Sequence, residues 1–203
     1  MESMTSIQYI ILHHSGIHSN KMGEKEHYKA IENKLHQEYG SRFVLQYHHV
    51  IGHQGTHFKG QPEGLVCPHV GFDRFENDIN NWNSLGVCCM GNFEKEFMKP
   101  VQFQSLVKVL RQLKIKHGIP NFRIHPHNSI IPTLCPGEHY PYNDIMNSVL
   151  EKPWYDEAVE FCMKKGIMTG DEDGFRPDDP VIRAELASVL YRMYHLEDNK
   201  EIV

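Results

Sequence analysis

The run Gln8-Tyr9-Ile10-Ile11-Leu12, followed at once by His13-His14, restricts the fold more than any other stretch of this chain. Its apolar residues follow one another without the polar alternation that would leave one face in water. Such a segment reads as a strand buried on both faces, the kind found in sheets with helices packed on each side. The strand ends in two imidazoles. In α/β folds the strand ends form a rim where binding and catalytic groups gather. Side chains alternate along a strand, so His13 and His14 point to opposite faces, and at most one of them belongs to a given cluster.

The remainder of residues 1–150 repeats the theme. A helix is predicted over Gly23 to Tyr39, where Tyr28, Ile31, Leu35 and Tyr39 share one face and Gly40 stops the chain. Phe43 to Gly52 reads as a strand, Gln54-Gly55 as a turn and Thr56 to Lys59 as a short returning strand. Residues 60–83, rich in Pro, Gly, Asn and Asp, read as a long surface loop, and loops of that length are usually functional. Ser84 to Met90 is a second buried strand. Pro100 opens a helix with Phe103, Leu106, Val107, Leu110 and Leu113 in one stripe, ended by Gly118. Asn121 to His125 reads as a last strand. Strands alternating with helices predict an α/β layer.

Beyond Pro141 the pattern becomes helical. Asn143 to Leu150 reads as a short helix, Glu151-Lys152-Pro153 as a connector, and Trp154 to Lys165 and Arg183 to His195 as two further helices. Charge and histidine both shift at the same place. Residues 1–150 hold 14 Lys+Arg against 13 Asp+Glu, whereas 151–203 hold 7 against 13; all but one of the 15 histidines precede residue 151. Two domains are therefore expected, 1–150 and 151–203. The loop between the last two helices imitates a calcium loop at Asp171, Asp173 and Gly174. With Gly174 in the sixth place, however, the first and twelfth are Thr169 and Pro180, which bring no carboxylate.

The net charge of −5 argues against a nucleic-acid partner, which needs clustered Lys and Arg. No apolar run is long enough to span a bilayer, and Ile7 to Leu12 is too short and lacks the basic start of a secretory leader. No membrane partner is expected, and the protein is expected to stay in the cytoplasm until something releases it. Five cysteines, two of them adjacent at Cys88-Cys89, do not form a disulfide pattern. Cys67, Cys88, Cys89 and Cys162 read as buried free thiols. Cys135 differs, because Pro136-Gly137 follows it and His127 precedes it with seven residues between.

Two imidazoles and a thiolate suit zinc better than magnesium or calcium. Three protein ligands leave a tetrahedral zinc one open position, the mark of a catalytic rather than a structural site. His13 and Cys135 are candidates. For the third ligand His125 and His127 share a face, and spacing alone does not choose between them.

Four segments in register resemble one family. They are Ile-Ile-Leu-His-His-Ser-Gly at 10–16, Tyr-His-His-Val-Ile at 47–51 with Gly55-Thr56, Asn-Ser-Leu-Gly-Val at 83–87 with Gly91-Asn92-Phe93, and His127 through Cys135-Pro136-Gly137. Over about residues 7–150 the chain resembles the zinc-dependent N-acetylmuramoyl-L-alanine amidases, the family shared by small phage lysozymes and peptidoglycan recognition proteins. The resemblance implies a mixed central β-sheet flanked by helices, plus here a small all-α C-terminal domain. It implies one Zn2+ per chain on His13, His127 and Cys135, with Tyr47 and Thr133 as catalytic residues. The substrate amide carbonyl would take the open zinc position, Tyr47 would hydrogen-bond the attacking water or the developing oxyanion, and Thr133 would add a second donor. It further implies substrate contacts at His69 and Asn83, although Pro68 stands where that family carries Trp in the segment Pro68-His69-Val70-Gly71. His49 stands where an aromatic is commoner and reads as a partly buried residue beside the site.

Residues 154–195 resemble one S-layer homology repeat. The matching pieces are Trp154-Tyr155 with Ala158, Gly166-Ile167-Met168-Thr169-Gly170, Gly174-Phe175-Arg176-Pro177-Asp178 and Ile182-Arg183-Ala184-Glu185. Such repeats bind secondary cell-wall polymers, which implies a polymer contact at Arg183. Ile182 replaces the Thr that caps the helix in that family, a loss of about 0.5–2 kcal/mol unless another group substitutes. A single repeat buries little surface, so the tail is expected to dock on its own catalytic domain, to pair with copies from other chains as a homo-oligomer, or to bind weakly. Together these features predict a peptidoglycan hydrolase of phage or prophage endolysin type, acting on the bacterial cell wall. The alternative is a non-catalytic peptidoglycan-binding module on the same fold. A histidine-rich nuclease, which Tyr47-His48-His49-Val50 alone would allow, fails on charge.

Overall fold

A computed structural model describes residues 2–20, 22–40, 45–71, 78–150, 155–170, 175 and 179–198. The chain divides into two compact units, Met1–Leu150 and Glu151–Val203. The first is built on a five-stranded sheet of β1 (Tyr9–His14), β2 (His49–Ile51), β3 (His57–Lys59), β4 (Ser84–Cys89) and β5 (Ile124–Pro126), in the order β3-β2-β4-β1-β5. The β1–β4, β1–β5 and β2–β4 pairs are parallel, and only the β2–β3 hairpin is antiparallel, so the sheet is mixed.

The apolar run is the second-to-last strand of this sheet, and Ile10, Ile11 and Leu12 are completely buried. Burying each contributes about 1.5–3 kcal/mol. Register explains how burial divides. One face carries Ile10, Leu12, Leu85, Val87 and Cys89, and α2 (Pro100–His117) and α3 (Tyr142–Leu150) cover it with Leu106, Leu110, Leu113, Ile145 and Val149. The opposite face presents Val50 and Cys88 to Ile31 of α1 (Glu24–Tyr39), with Leu45, Tyr47 and Met90 completing that smaller core. Gln102, a polar residue buried in α2, donates from Nε2 to the Ile51 and Met90 carbonyls and so pins the helix to two strand ends.

The predicted elements recur with differences that have local causes. The strand expected from Phe43 shortens to His49–Ile51: residues 46–48 bend, since Tyr47 turns into the core, and 41–44 lie outside the described residues. Asn121–Arg123 forms a 3-10 turn, and β5 starts only at Ile124, because Pro120 leads the turn and the Arg123 N–H bonds back to the Pro120 carbonyl. Cys67, Cys88 and Cys89 are buried thiols, but Cys162 is only half-buried on the exposed helix α4.

The second unit holds α4 (Asp156–Lys164) and α5 (Arg183–Asp198), and the Arg192 guanidinium joins α5 to the Ile167 carbonyl at 3.0 Å. At the start of α5, Ile182 offers no capping oxygen, yet the Glu185 carboxylate accepts from the Ile182 N–H at 2.8 Å, so half of a capping box survives. The calcium-like positions Asp171, Asp173 and Gly174 lie outside the described residues. Among the described residues, no helix is long and apolar enough to cross a membrane.

Candidate metal centre

Parallel pairing carries His13 and His127 to the same rim. His13, next to last in β1, lies opposite Cys88, and His127 follows directly after β5. The loop after His127 then returns, and the ligand atoms of His13, His127 and Cys135 all lie within 4.8 Å of one another. The His13 and His127 rings are 4.4 Å apart, and the His13 Nδ1 is 3.7 Å from the Cys135 Sγ. His125 stays outside this group, its ring beside Tyr9 at 6.1 Å. His14 points to the other face, as strand alternation requires, and its Nδ1 accepts from the Phe93 N–H at 3.2 Å.

Three details fit a soft dication at this place. Both His127 ring nitrogens are buried without a hydrogen-bond partner, an arrangement that wastes polar atoms unless a ligand engages them. Burial pulls the His127 ring down to about 4, with His14 adding to the effect, and lowers His13 well below the ordinary imidazole range, so both stay neutral donors. The Cys135 thiol is pushed up to about 12 by burial, so ligation by this sulfur must displace a proton. The loop is tied down on both sides of it: the His14 N–H points at the Cys135 Sγ at 3.4 Å, and the Cys135 N–H donates to Thr133 Oγ1 at 3.2 Å.

Tyr47 is buried with its ring 5.0 Å from that of His13. Burial, with Cys88 and Cys135 nearby, raises its phenol well above the ordinary value, which keeps the hydroxyl protonated and able to donate. Thr133 is half-buried, and because its oxygen accepts from Cys135 its own proton is left to donate.

The two expected substrate residues take different places. Asn83 precedes β4, at the strand end opposite Cys88-Cys89; its side chain accepts from the Asn80 N–H at 2.9 Å and donates to the Asp78 carbonyl at 2.7 Å, holding a turn. His69 is not on an open groove wall. It is 2% exposed and lies beneath His13, with its Nδ1 3.1 Å from His13 Nε2. His49 lies outside the cluster, paired with His57 at 3.0 Å and Glu63 at 3.4 Å.

A second group, His48, Cys67 and His69, also has ligand-like spacing and is fully buried. Its imidazoles are already committed. His48 Nδ1 accepts from the Gly86 N–H at 2.9 Å and its Nε2 donates to the Leu65 carbonyl at 3.0 Å, while both nitrogens of His69 are engaged as well. What spacing could not reveal is the support around these rings. Asn81 Oδ1 accepts from the His69 and Val70 N–H groups, and Gly86 leaves the room that the His69 ring fills. A glycine inside a buried strand was the one available signal of such a close approach.

Fold and rim together define an α/β protein of the peptidoglycan-amidase and recognition-protein architecture, with two imidazoles and a thiol gathered where its parallel strands end. The chain belongs to the N-acetylmuramoyl-L-alanine amidase family, whose model matches residues 3–138. The S-layer homology domain matches residues 150–187. The endolysin N-acetylmuramoyl-L-alanine amidase LysCS from Clostridium intestinale URNW is 26% identical, with 75% of this chain and 93% of that one covered and a TM-score of 0.54. Peptidoglycan recognition protein SD of drosophila shares the fold at 19% identity, 71% and 83% coverage and a TM-score of 0.57. Among curated proteins, the exoglucanase XynX of Acetivibrio thermocellus is 27% identical over 146 residues, 68% of this chain. The chain spans only 11% of that relative's length.

Proposed function

We propose that this protein hydrolyses the amide bond between N-acetylmuramic acid and L-alanine in peptidoglycan, with zinc held by His13, His127 and Cys135. The observation that carries the reading is the approach of these three donors beside Tyr47, with the His127 nitrogens lacking any protein partner. Bound there, zinc would act as a Lewis acid on the scissile carbonyl and make the attacking water acidic enough to ionise near neutral pH. The protein's part is to hold its ligands and to place donors. Tyr47 donates to the oxygen that gains charge, and Thr133 supplies a second donor from the loop that carries Cys135. The departing group is the alanine amine; the lactyl carboxylate remains on the sugar.

Family membership and 26% identity to a protein described as an endolysin support a phage or prophage endolysin. In that setting the enzyme waits in the cytoplasm and acts on the wall once released. The tail would hold it there through a secondary cell-wall polymer, with Arg183, exposed at the first turn of α5, as a contact. Leu186, Leu190, Tyr191 and Tyr194 are exposed along α5, which supports pairing of tails between copies. Light scattering that finds a monomer with full wall binding would remove the pairing.

The test is digestion of purified sacculi with and without a chelator, followed by assay of free amino groups and reducing ends. New N-terminal alanine that the chelator abolishes is expected. Reducing ends without new alanine would mean a glycosidase. Sedimentation with sacculi without any new amino group would mean a binding module.

A further inference from the structure

His69 Nδ1 faces His13, while its Nε2 faces the Ser84 carbonyl at 3.1 Å and the Ser84 hydroxyl oxygen at 3.3 Å. The carbonyl only accepts, and the hydroxyl gives its proton to the Asn80 carbonyl, so Nε2 carries the proton. The ring is 2% exposed, and its nitrogens face a carbonyl, a hydroxyl and an imidazole rather than a carboxylate, so nothing compensates a buried charge and Nδ1 keeps its lone pair. His13 Nε2, 3.1 Å from that lone pair, must then be the protonated nitrogen of His13. The other nitrogen of His13, Nδ1, is left with its lone pair directed toward Cys135, 3.7 Å away. A single backbone carbonyl in β4 thus sets the tautomer of two imidazoles in series.

We propose that His69 is a positioning residue that fixes His13 with its Nδ1 lone pair toward the metal, through a relay Ser84 carbonyl–His69–His13. The proposal rests on the zinc reading only for its effect on affinity; the tautomer it assigns to His13 does not need the metal. The relay is built on rigid parts. Asn81, fully buried, accepts from the His69 and Val70 N–H groups at 3.1 and 2.9 Å and fixes the backbone that carries the ring. A Cβ on Gly86 would fall 2.8 Å from the His69 Cγ and 3.0 Å from its Nδ1, so the strand touches the ring with nothing to spare. The His48 ring closes the remaining side edge-on at 5.8 Å, itself locked by the Gly86 N–H and the Leu65 carbonyl. Outer partners of this kind set both the orientation and the basicity of a ligating histidine.

The test compares His69→Leu and His69→Gln with the wild-type full-length protein. Leu fills space but accepts no hydrogen bond. The Gln carboxamide offers an acceptor and a donor that can serve His13 and the Ser84 carbonyl in turn. Circular dichroism checks that each variant folds. Nitrogen-15 shifts of His13, recorded with zinc removed, read its tautomer; zinc affinity is read by competition with a chromophoric chelator. The wild type and His69→Gln should show His13 protonated at Nε2. His69→Leu should lose that preference and bind zinc about 10–100-fold more weakly. A folded His69→Leu with the wild-type tautomer and unchanged zinc affinity would overturn the relay. So would a wild-type His13 protonated at Nδ1. Should the wild type bind no zinc while its tautomer still follows residue 69, the metal assignment fails and the relay stands.

Discussion

Gly137→Ala probes how the Cys135 loop is held, and its effect can be worked from the geometry. Gly137 has φ +110, a conformation that side-chain-bearing residues rarely adopt. Holding alanine there costs about 1–3 kcal/mol. The new Cβ would also lie 2.5 Å from the Phe93 carbonyl carbon, 2.7 Å from its oxygen and 2.8 Å from the Glu94 nitrogen. Carbon contacts are comfortable only near ~3.5 Å, so something must move by nearly an ångström. The obstacle is backbone rather than a flexible side chain, and it is pinned. The Phe93 carbonyl accepts from the His139 N–H at 2.7 Å, Glu94 Oε1 accepts from the Glu138 N–H at 2.9 Å, and the Phe93 ring is buried against Tyr140. Overpacking adds about 1–3 kcal/mol, for a combined loss of about 2–6 kcal/mol. Urea unfolding with chelator present measures this term without any contribution from metal. Zinc titration of the same variant should show weakened binding, because relief of the clash displaces Cys135 two residues away. Gly64→Ala serves as the comparison, since a Cβ there meets nothing within 4 Å. A Gly137→Ala protein within about 0.5 kcal/mol of wild type, the scatter of ordinary surface substitutions, would mean that the Phe93 backbone does not confine this loop.

Four further outcomes are expected. Tyr47→Phe should keep zinc, measured by elemental analysis, and lose about 10²–10³ in turnover on sacculi, the usual effect of deleting one oxyanion donor; near-normal turnover would remove Tyr47 from the chemistry. Gln102→Leu removes the side-chain donor from the Met90 carbonyl, while the Ile51 carbonyl keeps the Met90 N–H, and should lower unfolding stability by roughly 1–3 kcal/mol, read by urea titration. Gly86→Ala, by crowding the His69 ring, should cost about 1–3 kcal/mol and weaken zinc binding in the same direction as His69→Leu. Acid should destabilise the fold early. Burial, opposed in part by hydrogen bonding at His48, lowers both His27 and His48 from 6.5 to about 4, so the unfolded chain binds more protons there than the folded one. Their contribution is full above pH 6.5 and is lost as pH falls toward 4, at up to about 1.4 kcal/mol per pH unit for each group. A urea midpoint that stays flat across that interval would contradict the assignment.

Much of this molecule can be read from local pattern. The buried strand at Tyr9–His14, the helices opened by Pro100 and closed by Gly40 and Gly118, and the change of composition after residue 150 all follow from periodicity, capping chemistry and charge. Strand alternation alone separated His13 from His14. The difficult places are those where tertiary contacts outweigh local preference. Tyr47 is drawn into the core and shortens a predicted strand, and Asn83 lies in a turn at the far end of β4. His69, which a motif suggested as a substrate contact, is buried. A motif records which residue types recur together, whereas exposure depends on what the rest of the chain lays over them.

A helix-covered α/β sheet and a set of candidate donors are legible in the chain, because both follow from residue types and from spacings within single elements. Which donors meet depends on how distant segments pair. His13 lies more than a hundred residues before His127 and Cys135, and parallel pairing of β1 with β5 together with the returning loop brings the three within 4.8 Å. Tertiary contacts also fix the proton positions. A tautomer is set by which acceptor a ring nitrogen faces, and for His69 that acceptor is the Ser84 carbonyl of a strand fifteen residues away.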